Sequence, residues 1–285
     1  MYYAVFRWFP KSLLTRCAGR LADVRWPGFA LRAFIRCYVR AFKIDMSQFV
    51  VPPEGWPTFN AFFTRDLRPA ARPVAPERDA LLSPVDGCVV SAGRIEAGRL
   101  LQAKGRDYSL AGLLGGDAAW SAYEGGTFVT VYLHPRDYHR IHAPCAGEVV
   151  RFRYVPGELW TVGPLGVSQV PGLFARNERW ITFLRTAPGS SGTSGEVALV
   201  KVGATIVGRI RVVYHPGVSH RRGAVPLAET LARPYALAAG AELGRFELGS
   251  TVILLTRTGE AELEPLDPGR TVRMGARIGR VLPGG

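Results

Sequence analysis

Lysine is scarce in this chain: Lys11, Lys43, Lys104 and Lys201 are four of 36 basic residues, the rest being arginine. A pyridoxal-phosphate enzyme would have to find its cofactor lysine among these, Lys104 first. Cysteine is equally thin, and Cys17, Cys37, Cys88 and Cys145 form no CxxC pair. That spacing argues against a disulfide framework or a zinc ribbon and fits reduced thiols in the cytosol. No stretch approaches the roughly 18 consecutive apolar residues of a membrane-spanning helix, because Arg or Lys interrupts every hydrophobic run near the N-terminus. HExxH and GxSxG are both missing, which counts against a zincin and against an α/β-hydrolase nucleophile elbow.

Acidic residues are also few, 23 against 36 basic ones, for a net charge of +13. The excess is local. Residues 1–47 hold nine basic and two acidic residues, a local +7 that would attract a polyanion such as a nucleic acid or an anionic lipid surface. Between these charges lie Trp8, Phe9, Trp26 and Phe29, and after Pro27-Gly28 apolar residues recur at helical spacing while Arg32, Arg36 and Arg40 share another face. Two amphipathic helices broken at Pro27-Gly28 are expected, able to lie in a bilayer interface or to pack on the protein's own core with a solvated basic face. A transit peptide, also Arg-rich, is disfavoured by the shortage of Ser.

Beyond residue 80 the texture changes to short Val/Ile/Leu-rich runs broken by Gly and Pro, at 126–133, 148–155, 197–202, 204–214 and 250–256. This pattern predicts a mainly β catalytic core, barrel- or sandwich-like, with N-terminal α-helices, α+β overall. The division expected is a docking segment over 1–47 and a catalytic domain over 48–285. Pro84-Val-Asp-Gly-Cys-Val-Val90 and Pro144-Cys-Ala-Gly-Glu-Val-Val150 share P-x-x-G-x-V-V, as two similar turn-to-strand corners would. Residues 187–195 read as a flexible Ser/Gly loop between strands.

Three imidazoles, His134, His139 and His142, fall within nine residues together with Asp137 and Tyr138. Such density suits proton transfer near neutral pH, and the spacing matches no strong zinc pattern. Asp86 alone is an ordinary turn aspartate, and Gly249-Ser250 alone an ordinary strand start.

Taken together and in order, seven blocks make a specific pattern: Thr58–Arg65 with Arg72-Pro73, Pro84–Gly87, Leu101–Gly105 with Tyr108–Leu110, Pro135–His142, Leu173–Arg179, Val202–Gly208 and Gly244–Val252. In these blocks the chain resembles the phosphatidylserine decarboxylase proenzymes, closest to the bacterial membrane-associated type. The resemblance implies that Ser250 attacks the Gly249 carbonyl, that the chain splits into 1–249 and 250–285, and that Ser250 becomes a pyruvoyl group. That group would form a Schiff base with phosphatidylserine and release CO2 to give phosphatidylethanolamine, without pyridoxal phosphate or metal. It further implies His142 as the base, Asp86 as its orienter and His139 as the proton carrier in decarboxylation. His134 stands where a small residue is expected and receives no role, and 215–243 fit the pattern poorly.

With a bilayer-embedded substrate, Trp8, Phe9, Trp26 and Phe29 become candidate inserting residues. The expected location is peripheral, on the cytoplasmic face of the inner membrane. The expected partners are phosphatidylserine, the anionic surface and the chain's own cleaved fragment, as a heterodimer or a homodimer of such pairs, with no nucleic acid. Three rival readings stand beside it: an Asp86/His142/Ser250 hydrolase that never self-cleaves, a pyridoxal-phosphate decarboxylase using Lys104, against which the all-β texture counts, and a non-catalytic basic module.

Overall fold

The computed structural model describes residues 10–103, 106–188, 194–206, 209–219 and 223–282. Its centre is an eight-stranded antiparallel sheet in the order Leu227–Leu237, Gly147–Val155, Arg179–Thr186, Glu196–Val202, Thr251–Thr256, Thr127–Tyr132, Gly87–Arg94 and Thr271–Val272. The strand Thr251–Thr256 lies in its interior and is buried along its whole length. Val252 and Leu254 enter one apolar cluster, with Val131, Leu199 and Phe246, while Ile253 and Leu255 enter another, with Val200 and Phe183. A strand covered on both faces reads as a continuous apolar run rather than an alternating one. That is what Val-Ile-Leu-Leu supplies.

A four-stranded sheet, ordered His215–Val218, Arg209–Val212, Glu242–Glu247, Arg140–His142, covers one face. The two P-x-x-G corners meet: Leu82 N donates to Pro144 O at 2.7 Å, and His142 N to Pro84 O at 2.8 Å. Both corner glycines are needed for close approach, since a Cβ on Gly87 would strike the Tyr132 carbonyl and one on Gly147 the Arg185 carbonyl. The mainly β, α+β expectation is met.

The helices α1 (Lys11–Asp23) and α2 (Gly28–Phe42) part over residues 24–27, at the Pro27 of the expected Pro27-Gly28 break, with Gly28 opening α2. They pack inward through Thr15, Gly19 and Ala22 and through Leu31 and Ile35, yet leave Leu13, Leu14, Leu21, Phe29 and Phe34 exposed. Each helix therefore packs one face on the core and leaves other apolar side chains exposed. Residues 204–214 do not form one strand: Ile206 has a φ of 71° and breaks the run, leaving Arg209–Val212. The strand Leu227–Leu237 had no clear signature, because it sits at the sheet edge, mostly exposed, and carries Arg and Pro. The Ser/Gly segment joins Arg179–Thr186 to Glu196–Val202, with residues 189–193 outside the described set. All four cysteines are free.

Lys201 is fully buried, its Nζ donating to the Thr182 hydroxyl and, at 3.2 Å, to Leu199 O. Burial pushes its pKa well below the ordinary lysine value. The unfolded chain binds a proton here that the folded chain refuses, so this group costs stability as pH falls below the ordinary lysine range. Lys201→Met in an uncleaved Ser250→Ala background is expected to raise the thermal midpoint, more at pH 7 than at pH 10. Thr182 keeps Tyr214 as a partner. A lowered midpoint would contradict this account.

Candidate active site

Two segments cross from the large sheet to the small one side by side. One runs from Thr127–Tyr132 through the His134–His139 turn into Arg140–His142; the other runs from Glu242–Glu247 through Leu248-Gly249-Ser250 into Thr251–Thr256. Register sets them opposite each other, Thr251 beside Tyr132 and Arg245 beside Arg140. Leu133 N donates to Ser250 O at 2.8 Å and Phe246 N to His139 O at 3.0 Å. His139 thereby comes to lie against Gly249.

The backbone at this crossing is unusual. Leu248 has a φ of 83° and Gly249 a φ of 42°. A non-glycine residue in that region costs on the order of 1–3 kcal/mol and persists only where its surroundings enforce it. A Cβ on Gly249 would stand 3.2 Å from His139 Nε2 and 3.7 Å from Phe63 Cζ. Ser250 is buried, and its Oγ has no hydrogen-bond partner.

His139 is wholly buried and packs, ring tilted, at 4.1 Å against Phe63, which closes the short helix α3 (Phe59–Phe63). Neither ring nitrogen closes a hydrogen bond. Burial, reinforced by the Arg65 charge, holds its pKa well below the ordinary imidazole value, against a smaller opposing effect of the Asp137 main chain. The ring is a neutral base beside the 249–250 bond.

His142 lies one strand-step away with both nitrogens engaged. Nδ1 is 2.8 Å from Gly240 O and Nε2 is 3.0 Å from the Tyr138 hydroxyl. A carbonyl only accepts, so Nδ1 carries the proton and Nε2 keeps the basic lone pair. Burial lowers this pKa too. Asp86 is not hydrogen-bonded to His142. Its carboxylate receives a forked pair from Arg72 at 2.5–3.0 Å and the Met274 N–H at 2.8 Å. The group orienting His142 here is the Gly240 carbonyl, and the Asp86 charge acts on the imidazole from farther off, favouring its protonated form. His134 packs edge-on against Tyr132 and contacts Asp137 at the rim.

Gly249 and Ser250 open onto an apolar pocket of about 340 Å3, walled by Tyr38, Phe42, Phe63, Tyr132, Val162 and Ile206 among others. One wall is therefore the C-terminal end of α2. Of the expected surface residues, Trp26 and Phe29 are exposed, Phe29 to 73%. Trp8, Phe9 and the rival cofactor residue Lys104 lie outside the described residues. Among the described residues no cluster of His, Cys, Asp and Glu could hold a metal ion, and no helix is long and apolar enough to cross a membrane. Sequence reasoning missed Arg72, Tyr138 and the Gly240 carbonyl as partners of Asp86 and His142. Arg72 lies inside a recognised block, whereas the Gly240 carbonyl leaves no trace in side-chain chemistry.

Comparison with known proteins points the same way. Residues 59–280 match the family model described as phosphatidylserine decarboxylase. The chain is 45% identical over 282 residues to a phosphatidylserine decarboxylase proenzyme of Anaeromyxobacter sp. (strain K), covering 98% of each chain. It is 42% identical over 280 residues to that of Shewanella frigidimarina (strain NCIMB 400), covering 95% of each. With the proenzyme of Brevibacillus brevis (strain 47 / JCM 6285 / NBRC 100599) it shares 41% identity over 271 residues and 94% of each chain.

The space at residue 249 sets the prediction from this geometry. Gly249→Val must place two methyl groups against His139 and take a φ that β-branched residues avoid. The variant is expected to remain full length on a denaturing gel under conditions where the wild type splits. Normal splitting would remove the steric argument.

Proposed function

The chain belongs to the phosphatidylserine decarboxylase family, and from that premise we propose that it decarboxylates phosphatidylserine to phosphatidylethanolamine after cutting itself at Gly249-Ser250. The observation that carries the cleavage site is the buried, unpartnered Ser250 hydroxyl placed directly after two residues of positive φ. An orphaned nucleophile next to a strained carbonyl fits a residue that is consumed.

In this reading the Ser250 Oγ gives up its proton and bonds to the Gly249 carbonyl carbon, and the C–N bond breaks to leave an ester. Loss of the α-proton expels the Gly249 carboxylate, and the dehydroalanine left at position 250 takes up water and releases ammonia to become pyruvoyl. His142 is the base: its Nε2 exchanges Tyr138 for the serine, Gly240 fixes the tautomer, and the distant Asp86 charge stabilises the imidazolium that forms. The new carbonyl supplies the electron sink that decarboxylation of an amino acid requires. The fragment 250–285 stays in place because Thr251–Thr256 is hydrogen-bonded on both sides, to Thr127–Tyr132 and to Glu196–Val202.

His139 serves the second reaction. As a neutral imidazole it takes a proton from the incoming ammonium group on Nε2, and after CO2 leaves it delivers that proton to the former carboxylate-bearing carbon. The apolar pocket accepts the glycerol and upper acyl region of the lipid. The reading also puts the enzyme on the cytoplasmic face of the cell membrane, with the exposed residues of α1 and α2 in the interface and Arg32, Arg36 and Arg40 facing anionic headgroups. What supports it is the exposure of those aromatic and basic side chains around a pocket that α2 itself walls.

Two measurements test these roles. His139→Ala is expected to split after Gly249 yet release CO2 from phosphatidylserine at least about a hundredfold more slowly, while His142→Ala stays uncleaved. Exchange of the two outcomes would reverse the assignment. For the membrane reading, Trp26→Ser with Phe29→Ser is expected to lower activity on anionic vesicles by on the order of tenfold, each aromatic burying about 1–3 kcal/mol of apolar surface. Soluble short-chain phosphatidylserine should be affected far less. Equal losses on both substrates would count against interfacial docking.

A further inference from the structure

Arg65 is among the largest fully buried side chains of the molecule, yet neither self-cleavage nor decarboxylation, as described, uses it. It follows the short helix α3, and its guanidinium lies 4.1 Å from the Phe49 ring centroid and 5.2 Å from that of Phe62. Nη2 donates to two consecutive main-chain carbonyls, Arg136 O at 2.9 Å and Asp137 O at 3.2 Å. Nε and Nη1 have no partner. Burying a cation so incompletely bonded is costly, and an apolar residue of similar shape would fill the space more cheaply. Removal from water pulls its pKa down to about 10, so it is still charged at neutral pH.

The carbonyls it holds belong to the turn immediately before His139. Two residues before Arg65, the last residue of α3, Phe63, packs against the same imidazole. One short segment, Phe62 to Arg65, therefore grips the His139 turn from both sides. We propose that Arg65 is the positioning residue of the active centre: its buried guanidinium fixes the turn that carries His139 and sets that imidazole against Gly249.

The electrostatics agree. Among the described residues Arg65 is the charged side chain whose field acts on His139, and it opposes protonation. The other groups facing the ring are the Phe63 ring, the Gly249 backbone and the Asp137 main chain. The Asp137 and Asp86 carboxylates act on Arg65 itself and favour its charged form. Arg65 thus does two separable things, one geometric and one electrostatic.

The inference rests on the reading of His139 as the proton carrier in decarboxylation, and two substitutions separate its parts. Arg65→Lys keeps the charge and loses the fork; Arg65→Gln keeps a donor and loses the charge. Correct folding is read from self-cleavage after Gly249, and catalysis from the pH dependence of CO2 release on short-chain phosphatidylserine. Both variants should lose about tenfold or more in kcat through misplacement of the ring. In Arg65→Gln the acid limb of the profile should also move to higher pH, because an imidazole freed of that repulsion protonates sooner; in Arg65→Lys it should stay near the wild-type position. Acid limbs that coincide in wild type, Arg65→Gln and Arg65→Lys would overturn the proposal, as would full activity in either variant. If Arg65→Gln fails to cleave, the decision falls to Arg65→Lys, whose undiminished kcat or displaced limb would overturn it. A His139→Gln enzyme that decarboxylates normally would instead bring down the underlying reading of His139.

Discussion

Two main-chain hydrogen bonds, Leu133 N to Ser250 O and Phe246 N to His139 O, tie together the paired crossings between the two sheets. Each is worth only about 1 kcal/mol net, but they set register. A strand side chain changes face with every one-residue slip, so the register that buries Val252 and Leu254 on one side and Ile253 and Leu255 on the other admits no alternative. The apolar core of the sheet therefore decides that His139 stands opposite Gly249. Packing energy spread over the whole sheet maintains the left-handed backbone at Leu248 and Gly249, which no local contact could hold alone.

The same arrangement explains how a chain can cut itself and remain one protein. The bond proposed to break lies at the mouth of a strand rather than within it, just before residues that pair on both sides. The strain at 248–249 can be released on one side of the cut while the ladder on the other side is untouched. Around this point the polar groups form tiers. His139 and Ser250 are buried without partners, His142 is held by Tyr138 and Gly240, and Asp86 is held by Arg72 and Met274. His139 and the serine hydroxyl are left unsatisfied, whereas His142, the proposed base, is held by Tyr138 until it turns to the serine.

Much of this was legible in the sequence where chemistry or periodicity repeats. The fully buried strand 251–256 announced itself as an unbroken apolar run, the break between the first two helices as Pro27-Gly28, and the sheet corners as twin P-x-x-G motifs. The His cluster stood out by its chemistry, whereas Gly249-Ser250, an ordinary strand start by itself, was singled out only by the family resemblance. What stayed hidden depends on main-chain geometry and distant pairing. Nothing in the residues around Leu248 signals a positive φ, nothing marks the Gly240 carbonyl as an imidazole partner, and the Arg72 to Asp86 fork spans two blocks that merely look adjacent. The edge strand 227–237 was missed because exposure on both faces erases the alternation by which strands are read.

The central claim is that Ser250 is consumed to make the catalytic carbonyl, and the mass of the intact purified protein tests it most directly. The account predicts two chains, residues 1–249 and residues 250–285, the smaller beginning with a pyruvoyl group in place of serine. A single chain of 285 residues in an actively decarboxylating preparation, or a small fragment that still begins with serine, would contradict it.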